Sequence, residues 1–375
     1  MSMQNLSDLT DGARIYLVPV GPVFGDRRAV SFAGTGLQFA GFRVMARENG
    51  RILYDSHHYL AEIEALKPTL SDPLVAQIVT QCDNLCAIKQ PISLPGLDKK
   101  LNFTKPLVMG VLNVTPDSFS DGGKYLDPEH ALTQARRMIA EGADIIDIGG
   151  ESTRPGAEPV WEGEEAKRIV PVIEGLQADG IPLSVDTRHA FVMEKALEAG
   201  AHIINDVTAL TYDPESMRVV ARCDAPVILM HSQGDPKTMQ ENPQYNHTLL
   251  DVYDYLAERV DACVAAGVDK ARLILDPGIG FGKRMVRDNL ALINGLALLH
   301  TLGCPLLFGA SRKSFVGAVS GEEEASKRLP GSLAAAIKSV EVGAQIVRVH
   351  DVAETRQALA MTQGFRDAAI IDAVH

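Results

Sequence analysis

The chain has 375 residues, 46% of them hydrophobic and 22% charged, and carries a formal net charge of −12. That length suits a barrel domain of about 250 residues plus an added segment, with enough apolar side chains for a large core. The acidic balance, with no Lys/Arg-rich run, excludes nucleic acid and anionic membranes as partners, but not a small anionic substrate held by a few arginines.

Residues 1–100 read as an N-terminal α+β extension. The opening MSMQNLSDLTDG lacks a basic-then-apolar leader pattern, and no apolar run in the chain reaches membrane-spanning length, so a cytoplasmic protein is expected. RIYLVPVGPVF and LQFAGFRVMARENGRILYDS suggest strands. AEIEALKP and the stretch from Pro73 to Cys86 suggest two short helices. The segment either packs on the barrel or stands as a small domain. His57 and His58 read as surface residues, and PISLPGLDKK, with two prolines, as a linker. The cysteines, Cys82, Cys86, Cys223, Cys263 and Cys304, are scattered, odd in number and without CxxC spacing, which points to reduced thiols.

From Lys105 onward a short apolar run, a polar loop and a helical pattern repeat eight times. The runs are LVMGVLNV, DIIDIGG, IPLSVDT, HIINDV, PVILMHS, RLILDPGIG, PLLFGAS and QIVRVHD. Near-continuous Val/Ile/Leu runs are what parallel strands buried on both faces look like. An open doubly wound sheet shows the same alternation, but eight repeats with polar exits fit a closed barrel better: an α/β fold, a (β/α)₈ TIM barrel over residues 105–375.

Barrel chemistry belongs to the loops after the strands. The first loop, NVTPDSFSDGG, contains Asn113 and Phe119, and reads as a mobile lid or an ordinary capped surface loop. The second contains Thr153, Arg154 and Pro155; a guanidinium there would clamp phosphate. Strands three, four and six end in Asp186, Asn205 and Asp276. Together these match a ligand edge rich in N–H donors, with metal ligation and structural hydrogen bonding as competing readings. After strand five, His231 is either a ligand or a satisfied polar residue, and Met230 packs in the core or against a flat ring. In DPGIGFGK the glycines would let backbone approach a flat ligand, with Phe281 stacking on it. Strand seven exits through Ser311 and Lys313, and strand eight through Arg348 and His350. The last two, two residues apart, would join Arg154 in a basic corner for pyrophosphate. The residues thus describe a heteroaromatic ring carrying a pyrophosphate, without naming the ring.

GVLNVTPDSFSDGG, DIGGESTRPGA, SVDT, INDV, LMHSQGDPKTMQ, LDPGIGFGK, GASRKSF and RVHDV, in this order over about residues 105–370, resemble the dihydropteroate synthase family. The resemblance implies a transferase of folate biosynthesis joining a pterin pyrophosphate to 4-aminobenzoate. Asp186, Asn205, Asp276 and Lys313 would then bind the pterin, with Met230 and Phe281 lining its pocket. Asn113, Arg154, Arg348 and His350 would hold the pyrophosphate, Asn113 also touching Mg²⁺. Phe119, Thr153, Pro155 and Ser311 would shape the aminobenzoate pocket, where sulfonamides bind in this family. Catalysis would rest on Asn113, Arg154, Lys313, Arg348 and His350, and the family implies a homodimer. The extension and Ser232, where Met is more often expected, depart from the pattern. A pterin-dependent methyltransferase and a catalytically silent pterin-binding paralogue are the alternative readings.

Overall fold

The structure, a computed structural model, describes residues 5–23, 29–32, 35, 37–115, 128–151, 160–234 and 238–374. The extension supplies β1 (Arg14–Val23), β2 (Val30–Phe32), β3 (Leu37–Glu48), β4 (Arg51–Tyr59), α1 (Leu60–Leu66) and α2 (Asp72–Cys86). Strand β3 lies at the centre of an antiparallel sheet, paired with β1, β2 and β4. The outer edge of β1 is closed by two glutamines one helical turn apart on α2. Gln77 accepts from Ile15 N (2.9 Å) and donates to Ala13 O (3.0 Å); Gln81 accepts from Leu17 N (2.9 Å) and donates to Ile15 O (2.8 Å). Side-chain amides at i and i+4 thus imitate a neighbouring strand and blunt an edge that would otherwise invite pairing.

PISLPGLDKK is not a linker. It forms most of a hairpin of β5 (Ile92–Leu94) and β6 (Leu97–Leu101). The barrel follows as β7 (Leu107–Asn113), α3 (Pro128–Ala140), β8 (Ile145–Gly149), α4 (Glu162–Gly175), β9 (Leu183–Asp186), α5 (Ala190–Glu198), β10 (Ile203–Asp206) and α6 (Ser216–Arg222). It continues through β11 (Val227–Met230), α7 (Thr248–Ala265), β12 (Leu273–Asp276), α8 (Arg287–Gly295), β13 (Leu307–Phe308), α9 (Ser314–Ser320), α10 (Leu329–Glu341), β14 (Ile346–Val349) and α11 (Val352–Val374). Each of the eight apolar runs contributes one parallel strand. Their order, β12-β11-β10-β9-β8-β7-β14-β13, closes through a bridge between Leu275 and Leu306. No helix among the described residues is long and apolar enough to cross a membrane.

Inside the barrel, Met109, Ile145, Ile203, Ile228, Ile274, Leu307 and Ile346 form one apolar layer. Ile92, Leu94, Leu101 and Phe103 from the hairpin segment pack into that layer, so the hairpin stoppers the end opposite the catalytic mouth. The reason is hydrophobic: without it those aliphatic side chains would meet water.

The extension packs on the barrel wall, sharing one core with it. Tyr16 meets Tyr253 edge-on at 5.3 Å and donates to Asp254 (3.0 Å). Arg47 reaches both Asp251 and Asp254 on α7, Phe32 meets His300 edge-on at 4.6 Å, and Asn84 Nδ2 donates to Thr301 O (2.8 Å). His58 pairs with Tyr54 Oη at 2.6 Å, and all five cysteines are free.

Two truncations separate these roles. A chain beginning near residue 90 should keep its turnover while losing solubility, because the wall facing Tyr16 and Phe32 becomes bare. One beginning near residue 105 should also unfold at markedly lower temperature, since each unstoppered aliphatic side chain forfeits about 1.5–3 kcal/mol. Thermal unfolding of the two truncated chains side by side, with turnover assays, measures the difference; equal melting temperatures would refute the stopper role.

Candidate active site

Side chains two apart on a strand share a face. The residue two positions beyond each inward apolar side chain therefore points inward as well, one layer nearer the mouth. Ile145 is followed in this way by Asp147, Ile203 by Asn205, Ile228 by Met230, Ile274 by Asp276, and Ile346 by Arg348. Asp186 ends β9 in register with Asn205. The apolar floor thus carries a polar layer directly above it.

That layer is held by charge. Arg348 Nε donates to Asp147 Oδ2 (2.6 Å), Nη2 donates to Asp186 Oδ2 (2.7 Å), and Asn205 Nδ2 adds a bond to Asp147 Oδ2 (3.1 Å). Asp147 is wholly buried. The second oxygens, Oδ1 of Asp147 and of Asp186, have no hydrogen-bond partner among the described residues. Buried acceptors without donors are costly unless a ligand supplies the donors. Burial pushes the Asp186 carboxyl up to about 7, with Arg348 pulling the other way. Asp276 is likewise raised by burial, and one of its oxygens accepts from Gly278 N (2.7 Å). Burial draws the Lys313 ammonium down to about 8; Nζ donates to Ile279 O and lies 4.6 Å from the centre of the Phe281 ring.

At the rim, Asn113 ends β7 opposite Gly149 and is partly buried. Ser311 Oγ accepts from His350 N (3.2 Å) and contacts His350 Nδ1 (3.0 Å). Phe119, Thr153, Arg154 and Pro155 lie outside the described residues. Arg348 and His350, expected to share a corner for pyrophosphate, make different hydrogen bonds among the described residues. Two carboxylates in its own layer fasten Arg348 to the floor, whereas His350 lies just past the end of β14, against Ser311.

Several functional positions escaped the reading of the sequence. Asp147 is the foremost, although an acid flanked by isoleucines within the run DIIDIGG was a usable signal, because a buried charge needs a partner. Lys283 is another. It is 1% exposed, its ammonium is pushed down to about 7 by burial, and it donates to Gly278 O (3.0 Å) and Phe281 O (2.8 Å). It also meets His231 Nδ1 at 2.9 Å, so His231 is a satisfied polar residue, kept neutral by burial. The DPGIGFGK loop is thus tied down from behind by one lysine. Gly278 (φ 68°) and Gly282 (φ 59°) serve that loop differently from the expectation. A Cβ would strike His231 O at 1.8 Å or Gln233 O at 2.3 Å, so the close approach is to the neighbouring loop's backbone. Ser232 is half-buried, and nothing in the structure explains its choice.

Residues 109–350 match the family model of pterin binding enzymes. The dihydropteroate synthase of Neisseria meningitidis serogroup B is 50% identical over 266 residues, covering 69% of this chain and 93% of that protein. That of Escherichia coli K12 is 46% identical over 264 residues, 70% of this chain and 93% of its own length. Among solved structures, Xanthomonas albilineans dihydropteroate synthase with 4-aminobenzoic acid superposes with a TM-score of 0.69 at 45% identity, covering 74% of this chain and 98% of the other. The same enzyme in complex with 7,8-dihydropteroate gives 0.67 at 42% identity, covering 74% and 99%. The eight-stranded barrel, its polar inner layer and these likenesses agree: the chain belongs to the dihydropteroate synthases of the pterin-binding enzyme family.

Proposed function

We propose that the chain condenses 6-hydroxymethyl-7,8-dihydropterin pyrophosphate with 4-aminobenzoate to give 7,8-dihydropteroate and pyrophosphate. The observation that carries this is the inward layer in which Asp147, Asp186 and Arg348 lock together while Oδ1 of each acid is left without a donor among the described residues. A pterin's row of N–H groups would supply the donors. Asp186, Asn205 and Asp276 would take that edge, Lys313 would donate to a ring carbonyl or nitrogen, and Met230 and Phe281 would wall the ring faces. Asn113, Arg154 and His350 would hold the pyrophosphate; Arg348, with five N–H groups, would serve the pterin floor and still reach toward the phosphates. Phe119, Thr153, Pro155 and Ser311 would enclose the aminobenzoate, and sulfonamides would compete for that space. The Ser311–His350 contact joins the two halves of the site.

The bond that breaks joins the pterin methylene to the pyrophosphate oxygen. The arylamine nitrogen then bonds to the methylene and sheds a proton. Fixed cations around the departing oxygens lower the barrier where negative charge develops. The Asn113 amide oxygen at the mouth is a hard donor suited to Mg²⁺, which keeps much of its shell as water and phosphate oxygen. When bound there, Mg²⁺ would add charge stabilisation for the leaving group. The free thiols support a cytoplasmic setting. Met361 and Phe365, 54% and 69% exposed on α11, support a homodimer that would cover them.

Pyrophosphate release by purified protein with Mg²⁺ tests the assignment. Release that depends on 4-aminobenzoate, with dihydropteroate formed, is the expected result; tight pterin binding without turnover would mark a silent paralogue instead. Pterin affinity should follow a bell-shaped pH profile. It should rise through about pH 7 as Asp186 ionises and fall above about pH 8 as Lys313 loses its charge. Fluorescence titration across this range should show the acid limb abolished in Asp186→Asn and the alkaline limb retained. Arg348→Ala should weaken bare pterin as well as its pyrophosphate, by about tenfold or more each. Calorimetry showing a loss confined to the pyrophosphate would place Arg348 in the phosphate corner alone.

A further inference from the structure

Beside the mouth, just past the end of β8, a second group of ligating side chains converges. One ligand atom from each of Glu151, Glu165 and His189 can be chosen so that all lie within 4.8 Å of one another. Glu165, in the first turn of α4, is wholly buried, and its carboxylate oxygens, beside the Thr187 hydroxyl, make no hydrogen bond of good geometry among the described residues. His189 N-caps α5 by position without a capping hydrogen bond, and its Nε2 is likewise buried and without a partner among those residues. Its Nδ1 lies 4.0 Å from Glu162 Oε2, beyond hydrogen-bond reach. Glu151 is held in place by Arg188, through Nε to Oε2 (3.0 Å) and Nη2 to Oε1 (2.9 Å), and by Val160 N (3.1 Å). Oε2 receives one of these bonds, and a carboxylate oxygen has room for a second.

Two buried polar groups without donors, one of them an acid, are expensive. The set of one imidazole and two carboxylates suits a borderline d-block ion better than Mg²⁺, which favours oxygen and water. A second grouping, Glu162, His189 and Asp213, is less suited. Glu162 is substantially exposed, and both oxygens of Asp213 accept backbone N–H bonds from Ala190 (2.8 Å) and Glu215 (2.9 Å).

We propose that Glu151, Glu165 and His189 form a binding site for a divalent transition-metal ion of the Zn²⁺ class, separate from the Mg²⁺ position at Asn113. Such an ion would tie the exit of β8 to the starts of α4 and α5. Its relevance to catalysis rests on the function proposed above; the binding itself does not.

The test is titration of the metal-stripped full-length protein with Co²⁺ in excess Mg²⁺, followed by visible absorption. One equivalent should bind with ligand-field bands, be displaced by Zn²⁺, and bind unchanged in Asn113→Ala. Glu165→Gln and, independently, His189→Gln should each weaken it by more than about tenfold. Thermal unfolding of both variants without metal checks that they fold. Absence of a band in the wild type, or unaltered Co²⁺ affinity in both variants, would overturn the site. Because the readout is absorbance, its failure would leave the synthase assignment standing, and loss of turnover would leave the metal result standing.

Discussion

The active site depends on one buried ion network, in which Arg348 on β14 is shared by Asp147 on β8 and Asp186 on β9. Taking three charges out of water costs several kcal/mol per ion, and such a network is seldom more stable than the apolar residues that could replace it. Its presence one layer above a wall of isoleucines therefore adds little to stability. The guanidinium lets two acids sit within one small cavity, and each acid offers its remaining oxygen to whatever enters the mouth. Asn205 joins the same network through Asp147, which fixes the orientation of its amide.

The remaining architecture supplies the conditions under which that network can exist. The apolar layer below is sealed by the β5–β6 hairpin, which keeps water from reaching the acids from beneath. The loop after β12 is pinned by Lys283, whose bonds to Gly278 O and Phe281 O hold the backbone on either side of Lys313's partner, Ile279. Rigid support from behind is what positions groups to within the tolerance that binding requires. On the wall, the extension fastens to α7 through Arg47 and Tyr16. Asp251, one of the acids that Arg47 holds, also accepts from the backbone N–H groups of Asn246 (2.8 Å) and His247 (3.0 Å). The extension thereby steadies the loop that follows β11, though it contributes no residue to the polar layer described here.

Much of this was legible in the chain. The eight apolar runs determined eight parallel strands, because a strand buried on both faces must be apolar almost throughout. The polar exits determined which end of the barrel is chemical, and the order of motifs from NVTPDSFSDGG to RVHDV pointed to a pterin and a pyrophosphate. Only the tertiary structure decided who pairs with whom. Asp147 and Arg348 are 201 residues apart, so no local pattern could show that the arginine is held by this acid. For the same reason PISLPGLDKK, with its prolines, read as a linker until the barrel's open end gave Ile92 and Leu94 something to cover. Gly278 and Gly282 were recognisable as sites of close approach, yet which backbone approaches them depends on the neighbouring loop. Periodicity and residue type record what each side chain can do; the closing of the barrel determines which partner it meets, because burial and charge act across space without regard to separation along the chain.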